Sequence, residues 1–389
     1  MADSPSDTVR TAGWQPLSRV DLQGDPAVSE RLLEALSCEG RVDRLTHGFH
    51  TYPAGLHPDA ARILLEVVGG DSVLDPFVGG GTVLVEALLA GRRAVGVDVS
   101  PVATLVARTR TLLWPEERIA RMRGQGRRIT EIAKRYEDLP RDPEVLRLRD
   151  WFEPHVAREL EGIRRGIELA PPEVQPGLLG AFSAILVKVS MRVSDTVPKR
   201  SLVHREPETT AFLFHKKVRE LGRRLEELAR AVPEGTPAPE IIDGDCRAVT
   251  PEPPVDAIVT SPPYPAVYDY VPLQHLRIAW LGLDDREGKV REIGARRAFR
   301  ADRARALRTW RQDLGLWLHR SREALNPGGR LAVVIGDGVA ASEPIDALGP
   351  LESEARRAGF QPVARASGDR MDQGWQQPRR EHVILMERR

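Results

Sequence analysis

The chain has 389 residues, enough for one large α/β domain with an insertion or for two domains. Charged residues make up 29% and aromatics 5%, and no apolar run approaches the roughly 18 residues needed to cross a bilayer, which excludes a helical membrane protein. A net charge of +1 argues against a wholly basic surface and leaves only local patches for nucleic acid. Cys38 and Cys246 are the only cysteines, so neither a disulfide framework nor a zinc set is expected, and a reducing cytoplasm is the expected location. Met1 to Gln15 lacks a basic start followed by an apolar core, so no secretory signal is expected.

Residues 1–28 are polar, rich in Asp, Ser and Pro, and are expected to be poorly ordered. A first unit follows over 29–113, beginning with a short helix, Ser29 to Leu36. His47, His50 and His57 lie in a loop that also carries Tyr52 and Pro53. No Cys or carboxylate cluster completes a ligand set there, so no metal is expected, and the loop reads as the lining of a pocket. Pro58 suits the first turn of a helix through Val68. Ser72 to Asp75 is a short buried-type strand, and Pro76-Phe77-Val78-Gly79-Gly80-Gly81-Thr82 turns it into the helix Val83 to Ala90. Strand, glycine turn and helix open a nucleotide-binding doubly wound fold, with Asp75 able to accept from a ligand amine. Arg93 to Asp98 is a second strand, ending in an acid 23 residues after Asp75. That is the place for ribose hydroxyls, although Asp98 would also serve as a cap for a helix from Pro101. The consecutive glycines lack the dinucleotide spacing, which points away from NAD, and no lysine follows, which points away from ATP.

Residues 114–235 read as a helical insertion, with helices such as Pro154 to Leu169, Leu178 to Val189 and Thr209 to Ala229. Within it, Lys188 to Arg205 is basic and interrupted by hydroxyls. Lys188, Arg192, Lys199 and Arg200 are candidates for phosphate contact, against the alternative of a solvated basic loop. Residues 236–389 form the second half. Glu240 to Asp245 is a strand with acids at its end, and Pro254 to Thr260 is a strand that runs into Ser261-Pro262-Pro263-Tyr264. Two adjacent prolines fix φ and remove two donors, so carbonyls here can point outward as acceptors. A flat amino group held by the Ser261 hydroxyl and a proline carbonyl, with Tyr264 stacked on the attached ring, describes a nucleobase amine awaiting an electrophile. Tyr268 and Arg277 belong to an aromatic and polar wall against substrate. Asp284 to Arg305 is arginine-rich, either a mobile segment against substrate or a solvated helix face. A helix, Ala306 to Leu325, and a strand, Leu331 to Asp337, follow; then a helix, Glu352 to Ala358, and a short strand, Gln361 to Ala364. A polar loop, Ala366 to Arg380 with Trp375, precedes a last strand, His382 to Met386.

Asp75-Pro76-Phe77-Val78-Gly79-Gly80-Gly81-Thr82 together with Thr260-Ser261-Pro262-Pro263-Tyr264 resembles the paired signatures of S-adenosylmethionine-dependent DNA amino-methyltransferases, in the Ser-Pro-Pro-Tyr form typical of cytosine-N4 enzymes. The Tyr52-Pro53-Ala54 loop resembles the motif that precedes them, and Gly80, where a bulkier residue is usual, is a minor departure. The resemblance covers about residues 47–110 and 240–340. It implies a Rossmann-like class I α/β fold, with a seven-stranded, mostly parallel sheet whose last strand is antiparallel. It also implies S-adenosylmethionine held by Tyr52, Pro53, Asp75, Pro76, Phe77, Gly79, Gly81, Thr82, Asp98, Asp245 and Thr260. Asp245 is preferred to Asp243 for the adenine amine, and Ser261, Pro262, Pro263 and Tyr264 are the implied catalytic stretch. The expected activity is methyl transfer to N4 of cytosine in DNA, with adenine N6 or an RNA base as alternatives and a non-catalytic nucleic-acid binder as a third. DNA stands ahead of RNA as partner, and a cognate restriction nuclease would complete a restriction-modification pair. Carbon-5 chemistry would need a cysteine in the catalytic stretch, which has none.

Overall fold

The computed structural model describes residues 17–389 except Ala54, Asp195, Thr196, Pro198, Leu202, Ala341 and residues 372–377. The expectations for Met1 to Gln15, for Ala54 and for Trp375 fall outside the described residues.

Ten strands are described: β1 (Ser18–Gly24), β2 (Ser72–Asp75), β3 (Arg93–Asp98), β4 (Glu240–Asp243), β5 (Val255–Thr260), β6 (Leu325–Gly336), β7 (Gly338–Ala340), β8 (Glu343–Ile345), β9 (Phe360–Arg370) and β10 (Arg379–Arg388). The main sheet runs β1-β9-β10-β6-β5-β2-β3-β4, while β7 and β8 pair separately. From β6 to β4 all neighbours are parallel, and β10 joins β6 antiparallel. Short apolar runs such as Val255–Thr260 form these strands because both faces are covered. Alternate residues serve alternate faces: Leu74, Val95, Ile258 and Leu331 go to one core, Val73, Ala94, Ala257 and Ala332 to the other. Strand order reverses between β2 and β5, so the chain leaves their carboxyl ends in opposite directions and a crevice opens there.

One face is covered by α1 (Pro26–Leu36), α2 (Pro58–Val68) and α3 (Thr82–Leu89), and α4 (Pro101–Arg110) follows β3. The insertion comprises α5 (Glu116–Lys134), α6 (Pro143–Leu146), α7 (Pro154–Glu168), α8 (Gln175–Val189) and α9 (Thr209–Ala231). It has an apolar core of its own around Met122, Ile129, Leu160, Phe182, Phe214 and Leu221. After β5 come α10 (Tyr270–Leu273), α11 (His275–Leu281), α12 (Arg286–Arg291), α13 (Arg296–Ala301) and α14 (Arg303–Ala324), and α15 (Leu348–Arg357) precedes β9. Trp280 of α11 docks edge-on against Phe152 and Phe182, which ties the insertion to the segment beyond Tyr264.

The structure corrects three expectations. The main sheet has eight strands, because Ser18–Gly24, inside the stretch expected to be poorly ordered, is an edge strand antiparallel to β9. Its side chains are almost all exposed, so no apolar alternation marks it; backbone pairing to β9 and the Asp21–Arg365 ion pair at 3.0 Å hold it. Helix α1 then starts at Pro26 with Asp25 as its cap, accepting from the Val28 N–H at 3.0 Å. The strand expected over Gln361 to Ala364 is β9, which continues through Ser367 and Asp369 into what reads as loop, since its polar residues pair in register with β10. The arginine-rich stretch after Asp284 is neither free nor a single helix face: it folds as α12, α13 and the start of α14, with Asp302 capping α14.

Candidate active site

Strand β2 ends in Asp75, and the glycine turn that follows is held down by hydrogen bonds to β3: the Val78 N–H donates to Val97 O at 3.0 Å, and the Gly79 N–H donates to the Asp98 side chain, Oδ2, at 3.0 Å. Gly79 and Gly81 take φ of 48° and 78°, the left-handed region open to glycine, and a side chain at Gly81 would strike the backbone of Ala107. Asp75 Oδ1 accepts from Thr260 Oγ1 at 2.7 Å and from the Phe77 N–H at 3.1 Å, and burial pushes its carboxyl up to about 7. Asp98 also accepts from the Ser100 N–H at 2.9 Å, and burial pushes it up to about 6. The cap of α4 is the Ser100 hydroxyl, so Asp98 is left for the cavity rather than for the helix.

Around these acids lies a cavity lined by Tyr52, Pro53, Asp75, Pro76, Phe77, Gly79, Thr82, Asp98 and Asp245 of the expected cofactor set, together with Ser261 and Pro263. Gly81 and Thr260 stand behind the lining: Gly81 sets the turn, and Thr260, fully buried, holds Asp75. Asp243 points elsewhere, bonded to Arg108 Nη2 at 2.7 Å and to Thr104. Asp245 faces the cavity but accepts from Arg247 Nη2 at 2.7 Å; burial raises its carboxyl, and the Arg247 bonds outweigh that and hold it below the usual range.

The sequence reading does not single out Arg110, Arg247 or Glu292. Arg110 is buried and donates to Gly80 O at 2.8 Å and to His50 O, stapling the glycine turn to the histidine loop; burial brings its guanidinium down to about 10. Glu292 accepts from the Tyr270 N–H and from Arg297, which brings Arg291, Glu292 and Ile293 to the cavity wall. None of these sits in a local motif. Their roles come from contacts across long stretches of chain, and no spacing in the sequence signals them.

A second cavity of about 450 Å³ adjoins the first, sharing Gly55, Leu56, Ser261 and Tyr270 as common wall. Pro262, Tyr264 and Tyr268 face it, with Arg370 and Glu381. Tyr264 fits against β6 because residue 336 is glycine: a Cβ there would lie 2.6 Å from the Tyr264 ring. Burial, then the nearby Glu381 carboxylate, push the Tyr264 hydroxyl well above its ordinary range, and Ser261 opposes them. Tyr268 and Tyr270 stand with ring centroids 5.4 Å apart, tilted by 49°. Arg370 Nε donates to Glu381 Oε2 at 2.7 Å, an ion pair that the sequence reading also does not identify.

The expected phosphate and substrate residues are not brought together. Arg192 is buried and donates to Leu273 O at 2.6 Å; Arg277 is buried and donates to Ser183 O at 3.1 Å and Gln274 Oε1 at 2.8 Å. Both bind the insertion to the segment around α10 and α11, which corrects their assignment to substrate. Lys188, Lys199 and Arg200 are exposed, and Arg200 Nη2 lies 3.2 Å from Met191 Sδ. Among the described residues, only Tyr268 of that set lines either cavity.

Strand order, the glycine turn and the two acids at the strand ends give the α/β architecture, parallel at its centre with a cavity at the strand carboxyl ends, that the resemblance to class I methyltransferases implies. The donor set fits S-adenosylmethionine: two buried carboxylates for its hydroxyls and amine, and a turn without side chains where a nucleoside would approach. No family model matches the chain. It is similar to the Type II methyltransferase M.MvaI of Kocuria varians, with 26% identity over 279 residues, 64% of this chain and 60% of that protein. It is similar also to the Type II methyltransferase M.BsoBI of Geobacillus stearothermophilus, with 21% identity over 294 residues, 66% of this chain and 56% of that one. Over 51 residues, 12% of this chain and 15% of the other, it is 45% identical to the tRNA (guanine(10)-N2)-dimethyltransferase of Methanothermobacter thermautotrophicus. The match to M.MvaI thus spans less than two thirds of that relative's length. Among the described residues, no helix is long and apolar enough to cross a membrane.

Proposed function

We propose that the protein is an S-adenosylmethionine-dependent methyltransferase acting on an exocyclic amino group of a nucleobase, with N4 of cytosine in DNA as target. The observation that carries this reading is Ser261 on the wall common to both cavities, with Asp75 and Asp98 on one side and Tyr264 on the other. The cofactor supplies an electrophilic methyl group on a sulfonium. The chain supplies alignment: Asp98 accepts from ribose hydroxyls, Asp75 from the ligand amine, and Thr260 and the Phe77 N–H keep the Asp75 carboxylate in place. Ser261 and the Pro262 carbonyl accept the two hydrogens of the target amine. This draws its nitrogen toward tetrahedral geometry and aims the lone pair across the shared wall. Tyr264 stacks on the ring, so the nucleotide enters flipped or single-stranded. The nitrogen sheds its proton after transfer, and no strong base is required.

The Type II names of the M.MvaI and M.BsoBI relatives support DNA as the polymer. A nuclease cutting the same sequence is the partner this reading implies. RNA is the second reading, favoured by the 45% identity over 51 residues to a tRNA-modifying enzyme. The test is transfer of radiolabelled methyl groups to matched DNA and RNA pools, with nucleosides identified by mass, beside Ser261→Ala and Tyr264→Ala. The expected product is N4-methyldeoxycytidine, lost in both variants. N6-methyldeoxyadenosine would keep the enzyme and change the base, and label in RNA alone would replace DNA. No transfer to either pool while cofactor binds would overturn the reading in favour of a non-catalytic binder.

A further inference from the structure

The helical insertion carries cations that the fold leaves unspent. Along α9, Phe212, His215, Lys216, Arg219 and Arg223 recur at three- and four-residue spacing and so share a face. With Arg123 of α5 they line an open groove of about 890 Å³, whose one acid, Glu220, is engaged by Lys217 and Arg224. Lys216 and Arg219 are exposed, as is Arg127 on the neighbouring α5, and among the described residues none of the three has an ion-pair partner. Arg123 and Arg223 line the groove while paired with Glu226 and Glu227. His215 titrates below its ordinary value through burial first and then through Arg219, Arg127 and Lys134, so it stands in a locally positive field. Phe212, 60% exposed, presents a bare ring at one end of the groove.

The basic stretch at Lys188 to Arg205 behaves otherwise. Its Arg192 is spent on Leu273 O and its Arg205 on Lys188 O. Helix α9, in turn, is bolted to the loop that leads into Tyr52, through Lys217 Nζ to Phe49 O at 2.9 Å and Arg224 Nη1 to Leu45 O at 2.6 Å. That loop continues into Tyr52, which lines the first cavity.

We propose that the α5–α9 groove is the track for the phosphate backbone of the nucleic acid whose base enters the second cavity; this rests on the nucleobase reading above. Lys216, Arg219 and Arg223 span about 10 Å of helix rise, the axial length of about three phosphates on one strand. Phe212 offers a stacking face to an unpaired base at the end of that run. The shared chemistry is a polyphosphate strand, and the test separates DNA from RNA.

The experiment measures binding of the full chain to a fluorescent duplex DNA and to single-stranded RNA of the same sequence across a salt series. It compares the native protein with the triple variant Lys216→Gln, Arg219→Gln, Arg223→Gln and with Phe212→Ala. These side chains are exposed, and unchanged thermal midpoint and cofactor affinity verify the fold. The expected result is a log–log salt slope shallower by about 2 to 3 in the triple variant, with affinity at low salt reduced on the order of tenfold or more. Phe212→Ala weakens only the single strand. A loss for RNA alone keeps the groove and assigns it to RNA. An unchanged slope in the triple variant, or a larger loss in Lys188→Gln, Lys199→Gln, overturns the groove while leaving the active-site reading intact. A native protein that binds neither polymer overturns both.

Discussion

The crevice at the carboxyl ends of β2 and β5 and the outer face of the helical insertion handle charge in opposite ways. In the crevice two acids are buried and displaced upward, Asp75 to about 7 and Asp98 to about 6, each carried on backbone N–H groups, while Arg247 holds Asp245 below the usual range. On α9 the cations Lys216 and Arg219 are exposed. A desolvated group acts strongly on a ligand that touches it, because nothing screens the contact. A solvated cation contributes little to stability but adds to a long-range field that guides a polyanion. On the proposed reading, one region serves chemistry at contact and the other capture.

That contrast is sharpened most by Ser261→Ala, which removes one of the acceptors on the shared wall. Turnover is expected to fall by about 10² to 10³, with cofactor affinity nearly unchanged, in single-turnover kinetics and calorimetry. Next is Arg110→Met, which strands the Gly80 and His50 carbonyls of the crevice. Stability is expected to drop by about 2 to 3 kcal/mol in denaturant titration, with weaker cofactor binding, because the glycine turn loses its tie to the loop before Tyr52.

The pH dependence of cofactor binding tests the buried acids directly. Below about 6 both carboxyls are protonated in the free protein, and a cationic ligand must displace those protons to bind. Affinity is therefore expected to strengthen as pH rises, by up to about tenfold per unit for each acid, and to level off above about 7. Calorimetry in buffers of different ionisation enthalpy would show proton release, and Asp75→Asn should flatten the upper part of the profile. A flat native profile would mean that neither acid meets the ligand. The smallest effect belongs to Lys199→Ala: the side chain is exposed, so thermal midpoint and cofactor affinity should stay where they are.

Several of these residues are visible in the chain because their chemistry is local. A strand, a glycine turn and a helix announce Asp75 and Gly79 within a few positions, and the second strand brings Asp98 at its usual offset. Arg192 and Arg277 illustrate the opposite case: a basic residue beside hydroxyls or aromatics looks available for phosphate, and only packing shows that both guanidiniums are used on carbonyls inside the protein. Edge strand β1 carries no apolar alternation in the chain, because its pairing to β9 is what makes it a strand.

Taken alone, the sequence determined the identity of the two stretches that matter and the strand–turn–helix units that carry them, since turn chemistry, short apolar runs and proline stiffness act over neighbouring residues. Only the tertiary structure decided how they meet. Thr260 and Asp75 stand 185 residues apart yet share a hydrogen bond, because β2 and β5 are neighbours at the reversal of strand order. Arg370 and Glu381 arrive at the second cavity from strands beyond the last motif. The insertion's exposed cations lie together on α9 because its apolar stripe, Phe214, Val218, Leu221 and Leu225, turns the opposite face to water.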